Sequence, residues 1–104
     1  MSSLINRIRE RRARLATERA QRGAELLDQA RLNWAGKVNP DTLRMASYKN
    51  CVLGQIYGGF GKGFDALPLN GHSTHYGFFS FFLNKPLKKA WRAEIQRRHA
   101  PIAI

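Results

Sequence analysis

One cysteine, Cys51, is all the sulfhydryl chemistry the chain has, which excludes an internal disulfide and any CxxC pair that could hold a structural zinc ion. Such usage fits a reducing compartment. Long apolar runs are missing too: the longest, Phe78 to Leu83, is broken by Ser80 and falls far short of the ~20 residues a membrane-spanning helix needs. Residues Met1 to Arg7 turn polar at once, without the apolar stretch and small-residue cleavage site of a secretory signal. A cytoplasmic protein, without a membrane partner, is expected. Acidic side chains are the scarcest class relative to their opposites, 7 against 18 lysines and arginines, for a formal net charge of +11. That imbalance leaves the fold open but attracts polyanions at long range, whether DNA, RNA, an acidic protein surface or anionic lipid.

What is present suits one modest core. The 104 residues are 43% hydrophobic with a mean hydropathy of -0.45, as in a single soluble globular domain. Charge is placed unevenly. Residues 1–33 hold eight arginines and four acids, residues 34–83 four basic and two acidic side chains, and residues 84–104 six basic and one acidic. Two cationic ends therefore flank a nearly neutral middle.

The pattern predicts a mainly α, single-domain fold with a long basic N-terminal helix and a basic C-terminal helix. Ser2 or Ser3 can cap a helix opening at Leu4 and Ile5, and no glycine or proline interrupts it before Gly23. Leu4, Ile8, Leu15, Leu26 and Ala30 fall near one face, although arginines crowd the turns between them. The helix is expected to be continuous or hinged near Thr17, with a better-buried half from about residue 18 to 31 in which Ala20, Ala24, Leu26, Leu27 and Ala30 supply a face. Residues 1–17 read as an arginine-rich helical extension and residues 18–104 as the small helical domain, with Trp34 as a core anchor. Asn39-Pro40-Asp41-Thr42 predicts a short helical turn to about Ala46. Cys51 to Ile56 predicts a buried helix stopped by Gly58 and Gly59, and Phe60, Phe64 and Leu67 recur at helical spacing. Pro68 to Tyr76 has loop composition. Asn84 can cap a last helix, with Pro86 in its first turn, in which Leu87, Ala90, Trp91, Glu94 and Ile95 place a stripe opposite Lys88, Lys89, Arg92 and Arg97. Tyr76 to Phe82 suits a strand or a short helix equally.

No arrangement for catalysis emerges, and the chain does not read as an enzyme. Gly58-Gly-Phe-Gly-Lys-Gly63 lacks the hydroxyl residue of a phosphate-binding P-loop and follows a helix instead of a strand, so it reads as a tight turn. His72, His75 and His99 with Cys51 would make a poor metal site, since no second cysteine or close carboxylate supports them. No metal or cofactor is expected. The segment Arg7 to Arg22 carries the strongest functional signal. Its guanidinium forks match phosphate oxygens, and its two acids, Glu10 and Glu18, cannot neutralise Arg7, Arg9, Arg11, Arg12, Arg14, Arg19 and Arg22. The same segment would also suit a merely solvated helix with Glu10–Arg14 and Glu18–Arg22 pairs. A second cluster, Lys85, Lys88, Lys89, Arg92, Arg97 and Arg98, would join the first in one cationic surface if the two ends pack together. Tyr76, Phe78, Phe79, Phe81 and Phe82 suit core packing by default, yet a helix cannot bury all five.

At RGAELLD (22–28), Trp34, DTL (41–43), CVLGQIYGGFGKG (51–63) and KAWRAEI (89–95), the chain resembles a group of small, uncharacterised proteins of actinobacteria and their phages. The resemblance spans roughly residues 18 to 98 and leaves out the arginine-rich start. Tyr48 stands where members often carry a second cysteine, and Leu32 where some have proline. What the resemblance implies is a bacterial or phage origin and a shared fold, with no activity attached.

Two functions from different classes follow. The first is a phage-encoded accessory protein that binds the phosphate backbone of DNA or RNA through Arg7, Arg9, Arg11, Arg12, Arg14, Arg19 and Arg22, helped by Lys88, Lys89 and Arg92. The second is a protein-interaction module that docks on an acidic host protein or a virion component, with Phe78, Phe79, Phe81 and Phe82 as anchors and the arginines steering encounter. A homodimer through the first helix is compatible with both.

Overall fold

The computed structural model describes residues 3–99. Helix α1 (Leu4–Ala30) leads through a 3-10 turn (Trp34–Lys37) and a series of tight turns to α2 (Val52–Tyr57), α3 (Phe60–Ala66) and the final α4 (Asn84–His99). The protein is mainly α, with no strand among the described residues.

Ser3 opens α1 as a cap, its hydroxyl accepting from Asn6 N at 3.2 Å, and the helix runs unbroken past Thr17. Its buried face is Ala16, Ala20, Gly23, Ala24 and Leu27. The stripe expected from the larger apolar residues is displaced. Leu4, Ile8 and Ala30 are exposed, and Leu15 and Leu26 are half-buried. The reason is the approach of α4. Small residues on α1 let a bulky partner sit directly on the backbone, and a Cβ added at Gly23 would overlap the Tyr76 carbonyl and lie 2.7 Å from the Trp91 ring.

Trp91 is the centre of the core. Its Nε1 donates to Gly77 O at 2.7 Å, its ring stacks on Phe78 with centroids 5.5 Å apart, and it meets Trp34 edge-on at 5.8 Å. Leu87 and Ile95 continue the buried face of α4. This helix begins at Asn84 itself, one residue earlier than a cap at Asn84 would allow. Ser80 Oγ accepts from Leu83 N at 2.6 Å, and Leu83 O accepts from Leu87 N at 2.8 Å, so the preceding residues do the work expected of Asn84. Pro86 is tolerated because the first-turn amides need no intrahelical acceptor.

Helices α1 and α4 lie parallel, side by side. Near one end Arg12 reaches the Phe82 carbonyl, and near the other Asp28 meets Arg98, both pairs 70 residues apart in sequence. The two long elements are thus in register over about 24 Å of helix.

Asn39 to Ala46 forms turns where a helical turn was expected. Asn39 Oδ1 accepts from Asp41 N at 2.9 Å, Gln55 Oε1 takes Asn39 N at 2.7 Å, and Leu43 and Met45 point alternately inward. A side chain that closes a turn on its own backbone competes with helix. By contrast α2 and α3 form where periodicity places them. The Cys51 sulfur accepts from Gly54 N at 3.3 Å at the start of α2, and Gly58, at φ 90°, ends it in the left-handed region that side chains avoid. Tyr76 to Phe82 is neither strand nor helix but a run of bends following the expected Pro68–Tyr76 loop.

Candidate nucleic-acid interface

Each sequence-predicted arginine of α1 can now be placed. Arg7, Arg9, Arg11, Arg12 and Arg14 are exposed, while Arg19 and Arg22 are half-buried. Because Arg12 sits level with Phe82, residues 4–11 project roughly 12 Å past the start of α4. Two members of the set also have structural work. The Arg12 guanidinium donates to the Phe82 carbonyl, and Arg22 Nε donates to His75 O at 2.9 Å, so both tie the loop before α4 to α1. Arg7, Arg9, Arg11 and Arg14 make no such bond.

On α4, Lys89 is exposed and Lys88 and Arg92 are half-buried. Together with Lys85 they line an open groove of about 520 Å³ completed by Ala93 and Gln96, with no acidic side chain in its wall. Arg92 Nη2 lies 3.8 Å from Asp41 Oδ1, a long and exposed pair that leaves it free to be drawn elsewhere. A second groove of about 270 Å³ runs between the helices, floored by Ala13, Thr17, Pro86, Ala90 and Ala93. Lys89 borders both grooves and so connects the two basic surfaces. Of these floor residues Ala13 and Ala93 were not singled out by reading the sequence, although alanine recurring every three to four residues was the available signal.

Arg97 and Arg98 belong to a different structure. Arg98 donates to Asp28 through Nε at 2.8 Å and Nη2 at 2.6 Å, to Glu94 Oε1 at 3.1 Å, and lies over the Trp34 ring at 5.3 Å. Arg97 pairs with the buried Glu94. Hydrogen bonding from Arg98 is the main cause that holds the Asp28 carboxyl below its ordinary range, with Trp34 Nε1 at 2.8 Å assisting against partial desolvation. This end of the α1–α4 pair is a closed ion network, and the opposite end is where cations are left over.

The parallel arrangement sharpens that difference. A helix N-terminus carries partial positive charge from unpaired amides and favours acids, yet neither α1 nor α4 has an acid in its first turn. Both N-termini point the same way. Arginines on one helix and Lys85, Lys88 and Lys89 on the other add their charge to the same end.

The aromatic set divides. Phe78 is 1% exposed, packed against Trp91 and Tyr76, which removes it from any docking surface. Phe79, Phe81 and Phe82 are exposed, the last two at 82% and 64%. Cys51 is buried, and burial pushes its thiol above the ordinary value. His99 Nε2 lies 2.7 Å from Ala35 O, and His75 is held below the usual histidine value by desolvation and by Arg22, His72 and Arg19 nearby. Among the described residues no group of three or more His, Cys, Asp or Glu is placed to hold a metal ion. No described helix is long and apolar enough to cross a membrane.

Comparison with protein-family models, with curated proteins and with solved structures yields no match for this chain.

Proposed function

We propose that the protein binds nucleic acid through the phosphate backbone, using the projecting half of α1 together with the basic groove of α4. The observation that carries this reading is the accumulation of unpaired cations at the shared N-terminal end of two parallel helices. Like charge gathered there works against folding, and a polyanion relieves it. Arg7, Arg9, Arg11 and Arg14 supply forks for phosphate, with Lys88, Lys89 and Arg92 alongside. Arg12 and Arg22 contribute charge while holding the loop before α4 in place, and half-buried Arg19 adds charge between them. Phosphate contacts of this kind position a ligand without reading its sequence, so a non-specific accessory role, in a phage or its bacterial host, is the matching biology.

A second reading rests on exposed Phe79, Phe81 and Phe82, which would also serve as anchors on an acidic protein. The charge-reversed variant Arg7→Glu/Arg11→Glu/Arg14→Glu separates binding from folding, because all three are exposed and their side chains make no hydrogen bond or ion pair among the described residues. Loss of DNA and RNA binding with an unchanged thermal melt supports the reading, and undiminished affinity ends it.

A further inference from the structure

The exposed phenylalanines are part of a longer feature. Phe64 lies 6.0 Å from Phe60, Phe60 6.3 Å from Phe79, and Phe79 4.8 Å from Phe81, ring centroid to ring centroid. Phe82 follows, and its carbonyl is held by Arg12. At the other end Tyr48, 56% exposed, borders an apolar cleft of about 190 Å³ shared with Phe60 and Phe79. The strip therefore runs from the loop before α2, across α3 and the bends before α4, to the foot of the arginine helix.

Cations accompany it along the chain. Arg12 stands at the Phe82 end, and exposed Arg44, Lys49 and Lys62 come from the segments carrying Tyr48 and Phe60, which hold the acids Asp41 and Asp65 as well. Phe81 and Phe82, 82% and 64% exposed, forgo most of the gain of burying a large aromatic ring. A ligand for this surface needs flat apolar faces and regularly spaced negative charge. Duplex DNA offers the charge but keeps its base faces stacked inside. A second copy of the chain would bring another formal charge of +11 and the same cationic rim, so the surface does not complement itself.

We infer that the aromatic strip from Phe60 through Phe79 to Phe81 and Phe82 is a stacking platform for unpaired bases, which makes single-stranded nucleic acid the ligand. The inference rests on the nucleic-acid reading above and names its substrate class. Base–aromatic stacking is tolerant of sequence because every base presents a π face, and basic side chains track the backbone alongside.

The test compares the full chain with Phe81→Ala/Phe82→Ala on four labelled probes: oligothymidylate of about 20 nucleotides, a duplex of the same length, a strand of that length lacking bases, and an acidic amphipathic helical peptide. Both rings are exposed, so the variant should melt like the parent. Oligothymidylate affinity is expected to fall about 10- to 100-fold, with duplex and abasic affinity unchanged within about twofold. Undiminished oligothymidylate binding by the variant overturns the platform while leaving phosphate binding by α1 intact. Failure of the parent chain to bind any of the nucleic-acid probes overturns both. A loss seen only for an acidic amphipathic helical peptide, with strand binding unchanged, overturns the platform in favour of a protein ligand. As an independent readout, Phe81→Trp should show fluorescence quenching on saturation with oligothymidylate and none with the abasic strand, and equal signals would contradict stacking.

Discussion

The Arg98 guanidinium forks onto the Asp28 carboxylate and so fastens the last turn of α4 to the last turns of α1, at Nε–Oδ1 2.8 Å and Nη2–Oδ2 2.6 Å. Asp28 also accepts from Trp34 Nε1, so one carboxylate anchors a helix, an arginine and a core tryptophan. With the ion network closed at this end, the unmatched charge lies at the other.

The first prediction concerns pH. The folded-state pKa of Asp28 is lowered, so its contribution to stability is full above the ordinary aspartate value of about 3.9 and disappears as pH falls from there through the lower folded value. The parent should lose thermal stability steeply below about pH 4. Asp28→Asn should melt lower at neutral pH, by about 1 kcal/mol once solvent screening of this half-exposed pair is discounted, and should show a flatter acid limb. Melting curves from pH 2 to pH 7 read both effects. A parallel acid limb in parent and variant would contradict the assignment.

Gly23 gives a packing prediction. Any Cβ there meets the Tyr76 carbonyl and the Trp91 ring, so Gly23→Ala must push α4 away from α1. The cost is expected at about 3 kcal/mol or more, despite alanine's better helix propensity. Urea denaturation of the variant measures it, and a stabilised protein would refute the close approach.

Cys51 should be chemically quiet. Its sulfur is buried at the start of α2 and burial raises its pKa, so reaction with a thiol reagent requires opening of the structure. At neutral pH the native protein should react at least about 100-fold more slowly than the urea-unfolded chain. Equal rates would mean that the α2 region is not packed as described.

The lysines of α4 supply a fourth prediction. Replacing Lys85, Lys88 and Lys89 by glutamine leaves the buried face of α4 untouched, so folding should persist. If all three meet phosphates of a duplex, the slope of log affinity against log salt should become shallower by about 2.7. An unchanged slope would confine the interface to α1.

How far the sequence carries the reader differs between elements. Helices α1, α2, α3 and α4 are legible because periodicity marks each of them, with the Ser3 cap of α1 and the Gly58 stop of α2 in agreement. The face of α1 is legible only in its second half, where Ala20, Ala24 and Leu27 are buried as expected and Gly23 makes room for Trp91. In the first half large apolar residues mark it wrongly, since Leu4 and Ile8 face water. Asn39 to Ala46 fails for a local reason, the asparagine side chain having closed a turn on its own backbone. The segments RGAELLD, CVLGQIYG and KAWRAEI supply Gly23, Leu27, Asp28, Leu53, Ile56, Trp91 and Ile95, which hold the fold together. Their pattern therefore speaks of architecture and is silent on the projecting arginines.

Within the site, the candidate cations are legible from composition, whereas their division of labour is not. Arg12 and Arg22 differ from Arg11 and Arg14 only in what the chain brings beside them more than 50 residues later. Phe78 and Phe79 likewise differ only by the side of the chain that meets Trp91.

The most direct test of the central claim is fluorescence anisotropy of labelled duplex DNA and single-stranded RNA, titrated with the protein at several salt concentrations. The account predicts micromolar or tighter binding near physiological salt, with log affinity falling linearly and steeply against log salt as several arginines displace counterions. Absence of binding to both polymers, or affinity indifferent to salt, would contradict it and turn the basic end of the helix pair into a docking face for a protein.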